Sequence, residues 1–208
     1  MDYNLLELFK GTGSVGKVAE KMGMNVISLD CDKKFKPDIT TNILDWDYKK
    51  FVKDTGFIPN FIWASPPCNT YSKIIHRLYE RDTKTAEPLS DRAKEGTKIL
   101  YKTLKIIKFF LKLNPHLLFI IENPRGMMRH DKHIKKLYRD TTLYVLYGDK
   151  RRKETDFFHN VPNGLQLKDP STKYTKKTVD IAYIPKNERY KIPSKLVKHL
   201  LNRFVEEY

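Results

Sequence analysis

Apolar positions fall into short runs separated by amphipathic or polar stretches. Leu5 to Phe9 is such a run, closed by glycines at 11, 13 and 16; a helical period through Val18, Ala19 and Met22 follows, and then a second run, Val26 to Leu29. This order predicts a β-α-β unit. Residues 37–47 read as a loop with a short strand around Ile43 and Leu44, and Tyr48 to Lys53 as a short helix. Phe61 to Ala64 predicts a buried strand cut off by Ser65-Pro66-Pro67-Cys68. Apolar positions at Ile99, Leu100, Leu104, Ile107 and Leu111 predict an amphipathic helix near Thr97 to Leu113. The polar stretch 69–98 before it has the character of a functional loop or a lid carrying a short helix. Leu117 to Ile121 is the next strand, ended by Glu122-Asn123-Pro124. Thr142 to Tyr147 and Thr155 to Phe158 predict two later strands, and Pro193 to Phe204 a closing helix. Strands alternating with helices predict an α/β fold whose mostly parallel sheet is covered on both faces.

With 208 residues, 40% of them hydrophobic, the chain supports one well-buried domain and no segment has the composition of a disordered tail. No repeat at a fixed period is present. The start lacks a basic head followed by an apolar stretch, and the densest apolar runs are far below membrane-spanning length. A soluble intracellular monomer without membrane contact is expected, in the cytoplasm of a host cell or, in a eukaryotic host, its nucleus. Two cysteines, Cys31 and Cys68, have no metal-binding spacing and no disulfide framework, so no metal is expected and a reduced compartment is implied. Net charge is +15, and residues 125–208, with 20 Lys/Arg against 10 Asp/Glu, are more basic than residues 1–124, with 20 against 15. Such an excess suits a polyanion partner, although a lysine-rich soluble surface looks the same.

Gly11-Thr-Gly13-Ser-Val-Gly16 fits G-x-G-x-x-G between a strand and a helix, with Asp30 at the end of the next strand. Glycines there allow a tight turn and close backbone approach, and an acid at that distance can hold ribose hydroxyls. The pattern points to a nucleoside-containing cofactor, a nicotinamide one included. Ser65-Pro66-Pro67 forms a stiff arm that carries Cys68 just past a strand end. Cys68 is read as a nucleophile and Cys31, in Leu29-Asp30-Cys31-Asp32, as a buried small hydrophobe. Glu122, at another strand end, is either a surface residue or an acid presented to a pocket.

Taken in order, these motifs resemble the cytosine-C5 DNA methyltransferase family, in a compact form of the kind found in phages and other viruses. Phe9-Lys-Gly11-Thr-Gly13 resembles the cofactor motif, Asp30 its ribose-binding acid, and Asn42-Ile43 the pair beside the adenine. Ser65-Pro66-Pro67-Cys68 matches the nucleophile motif, and Glu122-Asn123-Pro124 resembles Glu-Asn-Val with proline for valine. Tyr147-Gly148 through Arg152-Lys153, Thr155-Asp156 and Asn160 resemble the region of the catalytic arginine. Lys191-Ile192-Pro193-Ser194 resembles the last motif. The resemblance implies a Rossmann-like methyltransferase fold forming one catalytic domain over 1–208, and S-adenosyl-L-methionine held by Phe9, Gly11, Thr12, Gly13, Asp30, Asn42, Ile43 and Pro66. It also implies catalysis by Cys68, Glu122 and Arg152, and substrate contacts from Ser65, Asn123, Lys73, Arg77 and Lys153. Arg152 would lower the pKa of the thiol, and the charged loop with Lys73, His76, Arg77 and Arg81 would close over a base extruded from double-stranded DNA. Only Val161 to Arg189 occupy the interval where the family carries its target-recognition region. Residues 161–189 are therefore a reduced recognition segment, and reading of sequence should be short, degenerate or assisted by an accessory protein.

Three other readings stay open. One is a catalytically inactive nucleic-acid-binding relative and another is a tRNA cytosine-C5 methyltransferase. The third, a nicotinamide-dependent oxidoreductase, leaves Pro66-Pro67-Cys68 and Glu122-Asn123-Pro124 without a purpose. An amino-methyltransferase is disfavoured because its Pro-Pro motif ends in an aromatic residue where Cys68 stands.

Overall fold

The computed structural model describes residues 3–71, 80–179 and 183–208. In chain order its elements are β1 (Asn4–Leu8), α1 (Gly16–Lys21), β2 (Asn25–Asp30), β3 (Ile39–Thr40), α2 (Tyr48–Thr55) and β4 (Phe61–Ala64). Then come α3 (Asp91–Leu113), β5 (Leu118–Pro124), β6 (Tyr138–Leu143), β7 (Glu154–His159), α4 (Lys186–Arg189) and α5 (Ser194–Glu207). The seven strands form one sheet in the order β3-β2-β1-β4-β5-β7-β6. Pairing is parallel from β3 to β5, whereas β7 runs antiparallel to both β5 and β6. The expected mostly parallel α/β sheet is what forms.

Alternation along the central strands sorts side chains onto two cores. Leu6, Leu8, Ile62, Ala64, Phe119 and Ile121 pack with the buried face of α3, which carries Leu100, Ile106, Ile107 and Phe110. Leu5, Phe61, Trp63, Leu118 and Ile120 pack instead with Leu196, Val197, Leu200 and Phe204 of α5. A sheet buried on both faces explains why β4 reads as an unbroken apolar run, Phe-Ile-Trp-Ala, all four residues being at most 1% exposed.

Several boundaries differ from the sequence reading, each for a local reason. Phe9 is outside β1: its backbone turns left-handed at φ 65°, opening the glycine turn. Ile43 and Leu44 form a turn, not a strand, because Asn42 accepts from the Leu44 amide at 3.0 Å and its carbonyl takes the Asp45 and Trp46 amides. The short strand of that region is β3, one step earlier. Helix α3 starts six residues before Thr97, where the Ser90 side chain caps the Ala93 amide at 3.1 Å. The edge strand β6 is the polar Tyr138–Leu143, while the apolar Tyr144–Tyr147 that mimicked a strand is one 3-10 turn, mostly buried, with Tyr144 and Tyr147 in the α5 core.

Under the glycine turn lies a charged residue inside the core. Glu7, in β1, is 2% exposed and its Oε2 accepts the Gly16 amide at 3.2 Å. A Cβ on Gly16 would stand 2.7 Å from that oxygen and 3.4 Å from Val26 Cγ1, so a side chain there would have to push the buried Glu7 carboxyl aside. Burial raises the Glu7 carboxyl from 4.5 to about 7, with the Gly16 and Val15 amides pulling the other way. In the folded chain Glu7 therefore holds its proton over a range in which the unfolded chain has lost it, and stability falls as pH rises from about 4.5 to about 7. Across that window the effect amounts to roughly 3 kcal/mol. Glu7→Gln, which cannot ionise, should gain that much on the native chain between pH 4.5 and 8, a relative rise of roughly 6–12 °C in thermal midpoint. A stability difference independent of pH would show that Glu7 titrates normally.

Candidate active site at the carboxyl ends of the strands

The carboxyl ends of β1, β2, β4 and β5 lie side by side, and most of the residues singled out in the sequence sit on the loops leaving them. After β1 the backbone is left-handed at Phe9, Gly11 and Gly13, with φ of 65°, 50° and 67°. The Gly11 amide donates to Asp30 Oδ2 at 2.8 Å, joining the first turn to the end of β2. Asp30 Oδ1 accepts the Asp32 amide at 2.9 Å. Each of these oxygens keeps a second lone pair able to accept a ribose hydroxyl. A Cβ on Gly11 would approach only the Phe9 carbonyl, at 3.9 Å, so the surface of the turn is open to a ligand. Thr41 donates from its amide to the Asp30 carbonyl at 3.1 Å, setting the Asn42 turn beside the same acid. Asn42 is exposed, and Ile43 is buried in the core with Leu29. The turn and the acid thus fit a nucleoside-containing group.

The arm after β4 is tied down on both sides. Ser65 donates from its amide to the Leu8 carbonyl at 3.2 Å, and its hydroxyl receives the Trp63 indole at 3.1 Å. Pro66 is buried, and its carbonyl accepts Asn123 Nδ2 at 3.1 Å. Cys68, half-buried and in no disulfide, stands two residues beyond that contact. Asn123 is 1% exposed, and its Oδ1 meets no hydrogen-bond partner among the described residues.

Glu122 and Asn123 lie inside β5, not past its end. The strand continues to Pro124 because β7 supplies an antiparallel partner, pairing Glu122 with Phe157 and Asn123 with Asp156. Glu122 is 6% exposed. Its Oε1 accepts the Tyr144 hydroxyl at 3.0 Å and faces Lys153 Nζ at 3.6 Å. Tyr144 is fully buried; burial, then the nearby Glu122 charge, push its hydroxyl well above the ordinary tyrosine pKa, so it stays a donor. Lys153 also sits over the Tyr144 ring, 5.0 Å from its centre.

Other assignments change. Arg152 is exposed, and the cation that meets Glu122 is its neighbour Lys153. Arg81 cannot hold a nucleic-acid backbone: it is 0% exposed, lies 3.7 Å over the Tyr71 ring, and donates to Thr70 Oγ1, Thr97 Oγ1 and the Ala86 and Ala93 carbonyls. It is an interior pin joining the segment after Cys68 to the start of α3. Lys73, His76 and Arg77 fall outside the described residues. Cys31 is exposed, not buried, because it follows the last residue of β2. Its thiol is raised above the usual pKa by partial burial and then by Asp30, which disfavours the thiolate. Tyr144 was missed; its one signal was a phenol inside an apolar stretch, where the hydroxyl needs a buried partner. The first part of the 161–189 interval is built into the core, with Val161 and Leu165 at 0% exposure against α5. Among the described residues, no helix is long and apolar enough to cross a membrane and no cluster of three or more His, Cys, Asp or Glu could hold a metal ion.

No family model matches the chain. It is 34% identical over 148 residues to a Frog virus 3 (isolate Goorha) protein named "Probable DNA (cytosine-5)-methyltransferase", over 70% of this chain and 64% of that one. The chain therefore spans just under two thirds of that relative. Among solved structures it is similar to a mutant of DNMT2 from Spodoptera frugiperda, with a TM-score of 0.50 at 16% identity, over 89% of this chain and 56% of the other. That likeness bears on the fold, which is the Rossmann-like methyltransferase fold. The viral relative bears out the resemblance of this chain to the cytosine-C5 methyltransferase family.

Proposed function

We propose that the chain is an S-adenosylmethionine-dependent DNA cytosine-C5 methyltransferase in which Cys68 attacks the pyrimidine and Glu122 assists. The observation that carries this reading is the hydrogen bond from Asn123 to the Pro66 carbonyl, which couples the arm of Cys68 to the strand of Glu122. The name of the viral relative supports the substrate. Residues 1–208 are read as one catalytic domain, with 161–189 as its reduced recognition segment.

In this reading the glycine turn, Asp30, the Asn42 turn and Pro66 hold the cofactor, which supplies an electrophilic methyl group when bound. Cys68 as thiolate forms a bond to C6 of a flipped cytosine, moving the ring electrons toward C5 so that C5 can take that methyl group. Glu122 has Oε1 occupied by Tyr144 and Lys153, so Oε2 is the oxygen left to share a proton with N3 and offset the charge that builds there. The C5 proton then leaves to solvent, the electron pair returns to expel Cys68, and the thiolate is restored. Arg152, exposed beside Lys153, is a cation available to the thiolate or to a flanking phosphate.

Incubation with labelled cofactor should place methyl on C5 of cytosine in duplex DNA, and Cys68→Ala should abolish transfer. A 5-fluorocytosine duplex should become covalently attached to the native chain. Tight binding with neither transfer nor attachment would identify an inactive relative, and preferential labelling of tRNA in direct competition would reassign the substrate. Tyr144→Phe removes one hydrogen bond to a charged group, about 1.5–3 kcal/mol. It should lower kcat roughly 10–100-fold with little change in KM for DNA. A kcat equal to that of the native chain would remove Tyr144 from the mechanism.

A further inference from the structure

Helix α3 carries a line of charge that the chemistry above does not use. Lys94, Lys98, Lys102, Lys105, Lys108 and Lys112 recur every three or four residues along it. With 3.6 residues per turn they fall inside a sector of about 120° and extend over about 27 Å of helix axis. The opposite side of the helix, with Leu100, Ile106, Ile107 and Phe110, is buried in the sheet core. The only acids on α3 are in its first turns, Asp91 at 2.9 Å from Lys94 and Glu95 at 3.9 Å from Lys98. Lys102 is turned aside, donating to the Leu44 carbonyl at 3.0 Å. Lys105, Lys108 and Lys112 are exposed and form no ion pair among the described residues. Helix α2, packed on α3 through Tyr48 and Phe109 at 5.0 Å, adds exposed Lys49 and Lys53 to the same layer.

We infer that this stripe is a second, sequence-independent contact for a nucleic-acid phosphate backbone, separate from the pocket in which a base would react. Lys105, Lys108 and Lys112, with no acid of α3 beside them, repel one another in the folded chain, and a regularly charged polyanion laid along them relieves that repulsion while releasing its counterions. Spacings of three or four residues are about 4.5–6 Å along the axis, wider than the roughly 3.4 Å between charges along one strand, so every lysine has a phosphate within reach. The row also leads toward the candidate site: Arg81 joins the Ala93 carbonyl, next to Lys94, to Thr70, two residues after Cys68. Insertion into an anionic membrane fits less well, because an inserting helix turns its apolar side to the lipid and that side of α3 is inside the protein.

The inference rests on the nucleic-acid reading of the site, but its readout is binding and not methyl transfer. The test compares the native chain with Lys105→Gln/Lys108→Gln/Lys112→Gln and with a control of equal charge loss, Lys21→Gln/Lys195→Gln/Lys198→Gln, on the α1 and α5 side of the sheet. Affinity for a fluorescent 30-base-pair duplex is measured across salt concentrations. The stripe variant should lower the slope of log K against log salt by about 2–3, at about 0.9 for each phosphate no longer neutralised, and the control by less than one. Equal loss in both variants would mean diffuse charge and overturn the inference, as would an unchanged slope in the stripe variant. So would loss of binding to phosphatidylserine vesicles in that variant with its duplex slope intact. A chain with the expected slopes but no methyl transfer would reject the proposed function and leave the stripe standing.

Discussion

The arrangement depends on one buried hydrogen bond, from the Asn123 side chain to the Pro66 carbonyl. Two proline residues make the arm after β4 stiff, but stiffness alone does not say where it points. Parallel pairing of β4 with β5 brings Ala64 opposite Ile121, so the arm leaves the sheet beside Glu122 and Asn123. The amide at 123 then fixes Pro66 from one side while the Leu8 carbonyl holds Ser65 from the other. A carboxyl group, a thiol and a glycine turn from three different strands are thereby referenced to one another through short contacts onto main-chain carbonyls. The antiparallel insertion of β7 adds the remaining constraint, since it keeps Glu122 inside regular strand geometry and brings Lys153 to it.

The electrostatics around Glu122 follow from that insertion. A carboxylate 6% exposed needs donors, and Tyr144 and Lys153 supply them to the same oxygen. The phenol is held in its protonated form by complete burial, so its proton stays available to donate to Glu122. Both of these contacts among the described residues fall on Oε1, which orients the carboxylate. Glu7 shows the contrasting solution, where burial outweighs the main-chain amides and the Lys10 charge and the carboxyl retains its proton to about pH 7.

Much of the fold was legible because a doubly covered parallel sheet writes its strands as apolar runs and its crossovers as amphipathic periods. Phe61 to Ala64 was read without error for that reason, and the glycine turn with Asp30 followed from spacing. What escaped was structure made by partners distant in sequence. The extension of β5 through Pro124 exists only because β7 pairs with it, and the polar strand β6 looks like loop because it is an edge. Arg81 looked like a surface cation, since nothing local reveals that Thr70, Ala86, Ala93 and Thr97 would converge on it. That Lys153 meets Glu122 was likewise beyond pattern reading. Lys153 precedes β7, so no strand periodicity marks which way its side chain turns.

The short interval after β7 bears on how such a chain could choose its target. Val161 and Leu165 are committed to the α5 core, and at the other end the Arg151 guanidinium holds the carbonyls of Glu188 and Lys191 at 2.6 and 2.9 Å. What lies between Lys168 and Ile184 is too short to enclose a hydrophobic core of its own. A segment of that size can touch few base edges, and each good base contact discriminates by only about 1–3 kcal/mol. Affinity then has to come from elsewhere, and a charge excess of +15 is the resource the chain visibly has. Under the proposed function, charge would bind every sequence alike, giving residence on nucleic acid without choice among sites. Selectivity would then be limited to what the reacting pocket and its immediate neighbours can tell apart.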